Sequence, residues 1–145
     1  MGTQQLATFT VADLVFGVAV SDVQEVLRHQ PITSIPLAWN GTLGLINLRG
    51  EVVTTVDVRK RMALAPALDG EEPMNVVVRL GDDLISLLVD SIGDVAEVSD
   101  DQFEAPPETM TPTSRDFVRG AYKLDKCLLL ILNTPKLIEF DKPAD

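Results

Sequence analysis

Residues 44–50, Gly44-Leu45-Ile46-Asn47-Leu48-Arg49-Gly50, are followed at strand spacing by Val52, Val53, Val56, Asp57 and Arg59. Two apolar segments flank an Arg-Gly corner. This predicts a strand that turns back at Gly50, where the missing Cβ admits unusual φ/ψ or a close backbone approach. Arg49 then projects from the corner, and its guanidinium is a planar, permanently charged fork suited to a carboxylate or to backbone carbonyls on a partner. The alternative is structural, with Arg49 bridging to a neighbouring Asp such as Asp57. The polar residues of the stretch fit no catalytic pattern, and the corner reads as a recognition surface.

Working outward, the chain contains a degenerate repeat. An offset of 69 pairs Val11 with Leu80, Asp13 with Asp82, Phe16 with Ile85, Val18 with Leu87, Val20 with Val89, Val23 with Ile92, Glu25 with Asp94 and Val26 with Val95. After an insertion the offset becomes 76. Gly44 then meets Gly120, Leu48 meets Leu124, Val52 and Val53 meet Leu128 and Leu129, Val56 meets Leu132, and Asp57 meets Asn133. Arg49 falls opposite Asp125, Gly50 opposite Lys126 and Asn47 opposite Lys123, so the Asn-Leu-Arg-Gly corner exists once. A duplicated fold shares its buried positions, whereas a binding surface need not be duplicated; the asymmetry favours a functional Arg49.

Each half opens with a hairpin signal, apolar runs around a Gly/Asp turn: Leu6 to Val11 with Leu14 to Val20, and Asn75 to Leu80 with Leu84 to Val89. Ser21 and Gln24 make a capping box that predicts a short helix ending near Arg28, with Val23, Val26 and Leu27 on one face turned inward. Pro31 and Pro36 then enforce extended chain. Strands are expected near Leu43 to Leu48, Glu51 to Val58, Asp94 to Val98, Phe117 to Leu124 and Cys127 to Leu132. One helical turn is expected at Arg59 to Leu64, and a short terminal helix opens at Thr134-Pro135. Ala65 to Pro73 has the composition of an exposed connection, and Ser99 to Asp116, with three prolines, that of a long surface loop. Many short strands in two similar halves define a mainly β protein built as paired small barrels.

Composition narrows the function. The 145 residues are 46% hydrophobic but only 5% aromatic, so Val, Leu and Ile carry the packing and favour strands. A formal charge of −10 repels phosphate backbones and anionic lipid, which argues against nucleic-acid partners. Arg59, Lys60 and Arg61, and Arg28 with His29, read as solvated surface. No apolar run approaches the roughly 18 to 20 residues of a membrane span, and Gly2 to Gln5 provide no signal-peptide pattern, so a cytoplasmic protein is expected. One cysteine, Cys127, cannot form an internal disulfide and reads as a small buried hydrophobe. With a single His29 and that single thiol, zinc-type and Cys-His sites lack members. The acidic pairs Glu71-Glu72, Asp82-Asp83 and Asp100-Asp101 lack calcium-loop spacing, and phosphate-binding and nucleophile-elbow motifs are absent. No enzymatic activity, metal or cofactor is expected.

The pieces Phe16-Gly17-Val18, Val23-Gln24-Glu25-Val26-Leu27, Ile32-Thr33, Pro36, Gly44 to Gly50, Asp57-Val58-Arg59, Val89-Asp90-Ser91-Ile92 and Leu128-Leu129-Leu130, in this order and at these spacings, resemble the CheW-like family of bacterial chemosensory coupling modules. The resemblance covers nearly the whole chain. Thr54 stands where the family usually has proline and Thr55 where it usually has an aliphatic residue; both are good strand formers. The resemblance implies one CheW-like domain over residues 1–145, made of two five-stranded SH3-like barrels on a shared core. The approximate halves are 1–68 and 73–145, with terminal strands free to cross between them.

It further implies a non-catalytic adaptor, monomeric when isolated, that is recruited to membrane-associated arrays without inserting into the membrane. Such an adaptor joins the cytoplasmic tip of a methyl-accepting chemoreceptor to the regulatory domain of a chemotaxis histidine kinase. Carried onto this chain, the receptor-contacting groove involves Val23, Glu25, Val26, Thr33, Asn47, Leu48, Arg49 and Gly50. The receptor tip is a helical hairpin, so the expected mode is an amphipathic helix laid in an apolar groove with Arg49 fixing its register. Kinase contacts use apolar patches at barrel ends that the sequence leaves unassigned. Two other readings stand beside this one: an adaptor of another chemosensory pathway, such as pilus motility or second-messenger control, and a sensor binding a small ligand in the inter-barrel groove through Arg49, Asn47 and Thr33.

Overall fold

The computed structural model describes residues 2–28, 30–34, 43–62, 64, 72–124 and 127–138. Most of residues 65–73, together with His29, Pro36, Asp125 and Lys126, lie outside them. The chain opens with the expected hairpin of β1 (Thr3–Val11) and β2 (Leu14–Ala19), turned at Ala12 and Asp13, which hold φ of 50° and 69°. A 3-10 turn at Val20–Asp22 leads into β3 (Val23–Arg28). This replaces the helix predicted there. Ser21 lies within the 3-10 turn rather than at a helix cap, and Gln24 Oε1 accepts from Arg79 at 2.9 Å. Burial alternates strictly, with Val23, Glu25 and Leu27 half-buried and Gln24, Val26 and Arg28 exposed, which is the period of a strand.

The two-residue β4 (Thr33–Ser34) precedes β5 (Leu43–Leu48) and β6 (Glu51–Asp57). Asp57 caps α1 (Val58–Arg61) by accepting from the Lys60 N–H at 3.2 Å. The second hairpin, β7 (Met74–Leu80) and β8 (Asp83–Val89), turns at a left-handed Gly81. It is followed by β9 (Ser91–Ile92) and β10 (Ala96–Ser99). The segment expected to be only loop holds a 3-10 turn at Asp100–Gln102, β11 (Phe103–Glu104) and α2 (Pro112–Arg115), the last capped by Thr111. The chain continues through β12 (Val118–Lys123), β13 (Leu128–Leu132) and α3 (Thr134–Ile138).

The strands form two sheets. Sheet one runs β10-β1-β2-β13-β12-β11, with β9 also on β1, and sheet two runs β3-β7-β8-β6-β5-β4. Each has the five substantial strands expected of a small barrel plus two-residue additions. The orders match position for position: β10 with β3, the β1–β2 hairpin with β7–β8, β13 with β6, β12 with β5 and β11 with β4. Even the one parallel pairing recurs, β2 with β13 and β8 with β6. In both sheets the hairpin of one sequence half lies beside strands of the other half.

One face of each sheet contributes to a shared core that includes Phe9, Phe16, Val56, Val76, Leu87 and Leu130. The basic cluster belongs to this seam rather than to solvent. Arg59 pairs with Asp90, whose carboxylate also accepts from the Ala12 N–H, and Arg61 lies 4.7 Å over the Phe117 ring and donates to the Leu137 carbonyl at 2.8 Å. Lys60 alone of the three is exposed. Cys127 is exposed, not buried, because it sits just ahead of β13.

Gly44 and Gly120, paired by the repeat, have the same task. A Cβ on Gly44 would strike the Ile32 side chain and lie 3.1 Å from the Thr33 carbonyl; on Gly120 it would strike the Phe103 ring and lie 2.6 Å from the Glu104 carbonyl. Each glycine lets a short covering strand approach.

Candidate functional site

The β5–β6 hairpin closes on the Leu48–Glu51 pair, leaving Arg49 and Gly50 as a two-residue loop. Their φ values are 53° and 88°, the double left-handed conformation of a type I′ turn. The Asn47 side chain stiffens it, its Oδ1 accepting from the Gly50 N–H at 2.9 Å. Glycine suits this conformation and arginine does not, so Arg49 is held against its own preference. Its side chain is 74% exposed and donates to Glu25 Oε1 at 2.5 Å. Asp57, the carboxylate considered from sequence, caps α1 instead.

Glu25 belongs to β3, an edge of sheet two, and three strands separate β3 from β5 in the hydrogen-bonded order. The contact therefore requires the sheet to curl until its edge meets the far hairpin. Glu25 sits on the inner side of that curl, 19% exposed. Neighbouring Val26 points the other way and is 43% exposed, against the core packing expected of it, while Val23 does pack against the shared core. Thr33, on β4 beside Leu45, is exposed, Leu48 is half-buried, and Asn47 and Gly50 are exposed. The structure thus joins Glu25 to Arg49 and Asn47 to Gly50, and places Val26 and Thr33 on the surface of the same sheet.

Val52 was not singled out for the site. It pairs with Asn47 across the hairpin and is 67% exposed. The signal was present in strand alternation, since a buried Val53 forces Val52 outward. In the other half, Ile92 and Val95, the repeat counterparts of Val23 and Val26, are exposed as well.

A cleft of about 420 Å³ does lie between the sheets, lined among others by Leu6, Val18, Leu80, Tyr122, Arg79 and Arg119. Arg49, Asn47 and Thr33 do not line it, so the small-ligand reading loses the polar groups assigned to it. Among the described residues no cluster of three or more His, Cys, Asp or Glu is placed to hold a metal ion. No helix among them is long and apolar enough to cross a membrane. What the surface offers is an oriented guanidinium on a sheet that also exposes Val26 and Val52, a chemistry suited to recognition.

The duplicated pair of sheets over one core, with the Arg49-Gly50 corner on one of them, defines a small β-rich module. The CheW-like domain profile matches residues 5–142, and the chain belongs to that family. It is similar to the probable chemotaxis protein CheW of Rhizobium etli, 29% identical over 94% of this chain and 88% of that one. It is also similar to the chemotaxis protein CheW of Rhizobium meliloti, 30% identical over 90% and 84%. The crystal structure of the scaffolding protein TtCheW from Thermoanaerobacter tengcongensis superposes with a TM-score of 0.79 at 26% identity, covering 90% of this chain and 89% of that one.

Proposed function

We propose that this chain is a non-catalytic chemotaxis adaptor that couples the cytoplasmic tip of a chemoreceptor to the regulatory domain of a chemotaxis histidine kinase, working in the cytoplasm at receptor arrays. Membership of the CheW-like family and the scaffold and chemotaxis names of its relatives support the adaptor role. The observation that carries the receptor contact is Arg49. A bulky residue kept left-handed in a solvent-exposed turn has a backbone cost that no core contact offsets, and such outliers concentrate at functional positions. The receptor surface comprises Val23, Glu25, Val26, Thr33, Asn47, Leu48, Arg49 and Gly50, extended by Val52. Its exposed apolar members, Val26 and Val52, receive one face of a receptor helix, and Arg49, steadied by Glu25, meets a carboxylate or helix-terminal carbonyls on it.

Arg49→Glu reverses the charge at the corner and sets it against Glu25. Losing a charged contact with its partner left unpaired costs about 2 to 5 kcal/mol. Receptor affinity is expected to fall on the order of 30-fold or more. Titration of wild type and variant against a receptor cytoplasmic fragment and against the kinase regulatory domain, with thermal melts alongside, measures this. Unchanged receptor affinity in a normally folded variant would overturn the assignment of the corner, and a large loss of stability would make Arg49 structural.

A further inference from the structure

The duplication supplies its own comparison on the sheet faces turned away from the shared core. Sheet one holds Leu6, Gly17 and Ile131 where sheet two, at the same offsets, holds Asn75, Ser86 and Thr55. In sheet one Leu6 joins Val98, Tyr122 and Leu129 in an apolar cluster against which Ile131 packs. In sheet two all three polar side chains are buried, Asn75 and Ser86 completely. Asn75 uses both ends of its amide: Nδ2 donates to Ser86 Oγ at 2.9 Å, and Oδ1 accepts from the Gln30 N–H at 3.1 Å. Gln30 lies in the link between β3 and β4, with Glu25 and Val26 before it and Thr33 after it.

Burying an amide is unfavourable unless it is paired, and Leu6 demonstrates that this position of the fold accepts a hydrocarbon. What the amide adds is direction, an anchor for one backbone N–H in the segment that joins two strands of the recognition surface. Both the polar pair and the Arg-Gly corner occur once, and in the same sheet.

We infer that Asn75, oriented by Ser86, is a positioning residue that fixes the chain leaving β3 and so sets Glu25 and Val26 against the Arg49 corner. The inference rests on the receptor-binding reading above. The test compares the wild type with Asn75→Leu, Ser86→Ala and Arg49→Glu by amide hydrogen exchange at Gln30 and by titration with receptor fragment and with kinase regulatory domain. Asn75→Leu installs the residue of the sister sheet, and Ser86→Ala carries the test should that variant misfold.

Both anchor variants are expected to speed exchange at Gln30 and to weaken receptor binding about tenfold, as for a lost anchoring hydrogen bond, while kinase-domain binding holds. Receptor affinity that holds while Gln30 loses protection overturns the inference, as does unchanged exchange at Gln30. Receptor and kinase affinities falling together with melting temperature make Asn75 merely structural and overturn it too. Undiminished receptor binding by Arg49→Glu is a separate result: it removes the receptor reading itself and this inference with it.

Discussion

At Arg49 the backbone and the side chain want different things. A left-handed φ of 53° is disfavoured for most residues with a Cβ, by roughly 1 to 2 kcal/mol, whereas Gly, and Asn through its short polar side chain, tolerate it. Asn-Gly is the preferred sequence for this turn. Arg49→Asn should therefore relieve the turn while deleting the bond to Glu25, an exposed ion pair worth about 0 to 1 kcal/mol. We expect stability to change by less than about 1 kcal/mol. Receptor affinity should nonetheless fall at least about tenfold. Denaturant midpoints alongside receptor titrations check both, and a variant that binds like wild type would show the guanidinium to be dispensable. The projecting Arg49 and its Gly50 hinge were legible in the sequence because a turn is a local object. Its Glu25 partner was not, since that contact exists only once a sheet has curled through three intervening strands.

Among the elements, β3 is the instructive departure. Val23-Gln24-Glu25-Val26-Leu27 is short enough to satisfy an i, i+3, i+4 pattern and an i, i+2, i+4 pattern at once. Ladder bonds to β7, supplied by residues some fifty positions away, decide for the strand. The two hairpins were read with nearly their final bounds because Asp and Gly mark their turns, whereas the two-residue strands β4, β9 and β11 carry no periodicity to read. On β6, Thr55 has a physical cost that sequence could not reveal. Its side chain is buried, and its Oγ1 has no hydrogen-bond partner among the described residues. Thr55→Val removes an unpaired hydroxyl and keeps the β-branched shape, so stability should rise by about 1 kcal/mol. A lowered melting temperature would mean that the hydroxyl is satisfied in solution.

For the whole molecule, alternation and the two offsets made the duplication and the shared core readable. The resemblance allowed terminal strands to cross between halves, but that a whole hairpin crosses in each sheet was not readable from the pattern, because equivalent strands carry equivalent patterns and either pairing satisfies them. One titrating group reports on the integrity of sheet one. Burial, and secondarily the charge of Asp100, raise the Tyr122 phenol above its ordinary 10.0. The folded state then keeps a proton that the unfolded chain has lost, so stability is retained below that ordinary value and falls as pH rises from there toward the raised one. Tyr122→Phe should flatten this alkaline slope in pH-dependent melts, and an unaltered slope would assign it elsewhere. The crossed hairpins have a last consequence. Topologically the protein is a domain-swapped dimer written as one polypeptide, with its connection acting as a tether that makes assembly intramolecular. Severed between its halves, each fragment would hold a hairpin whose sheet partners reside on the other. The pieces should stay unfolded apart and recover β structure only when mixed, with a melting temperature that depends on concentration.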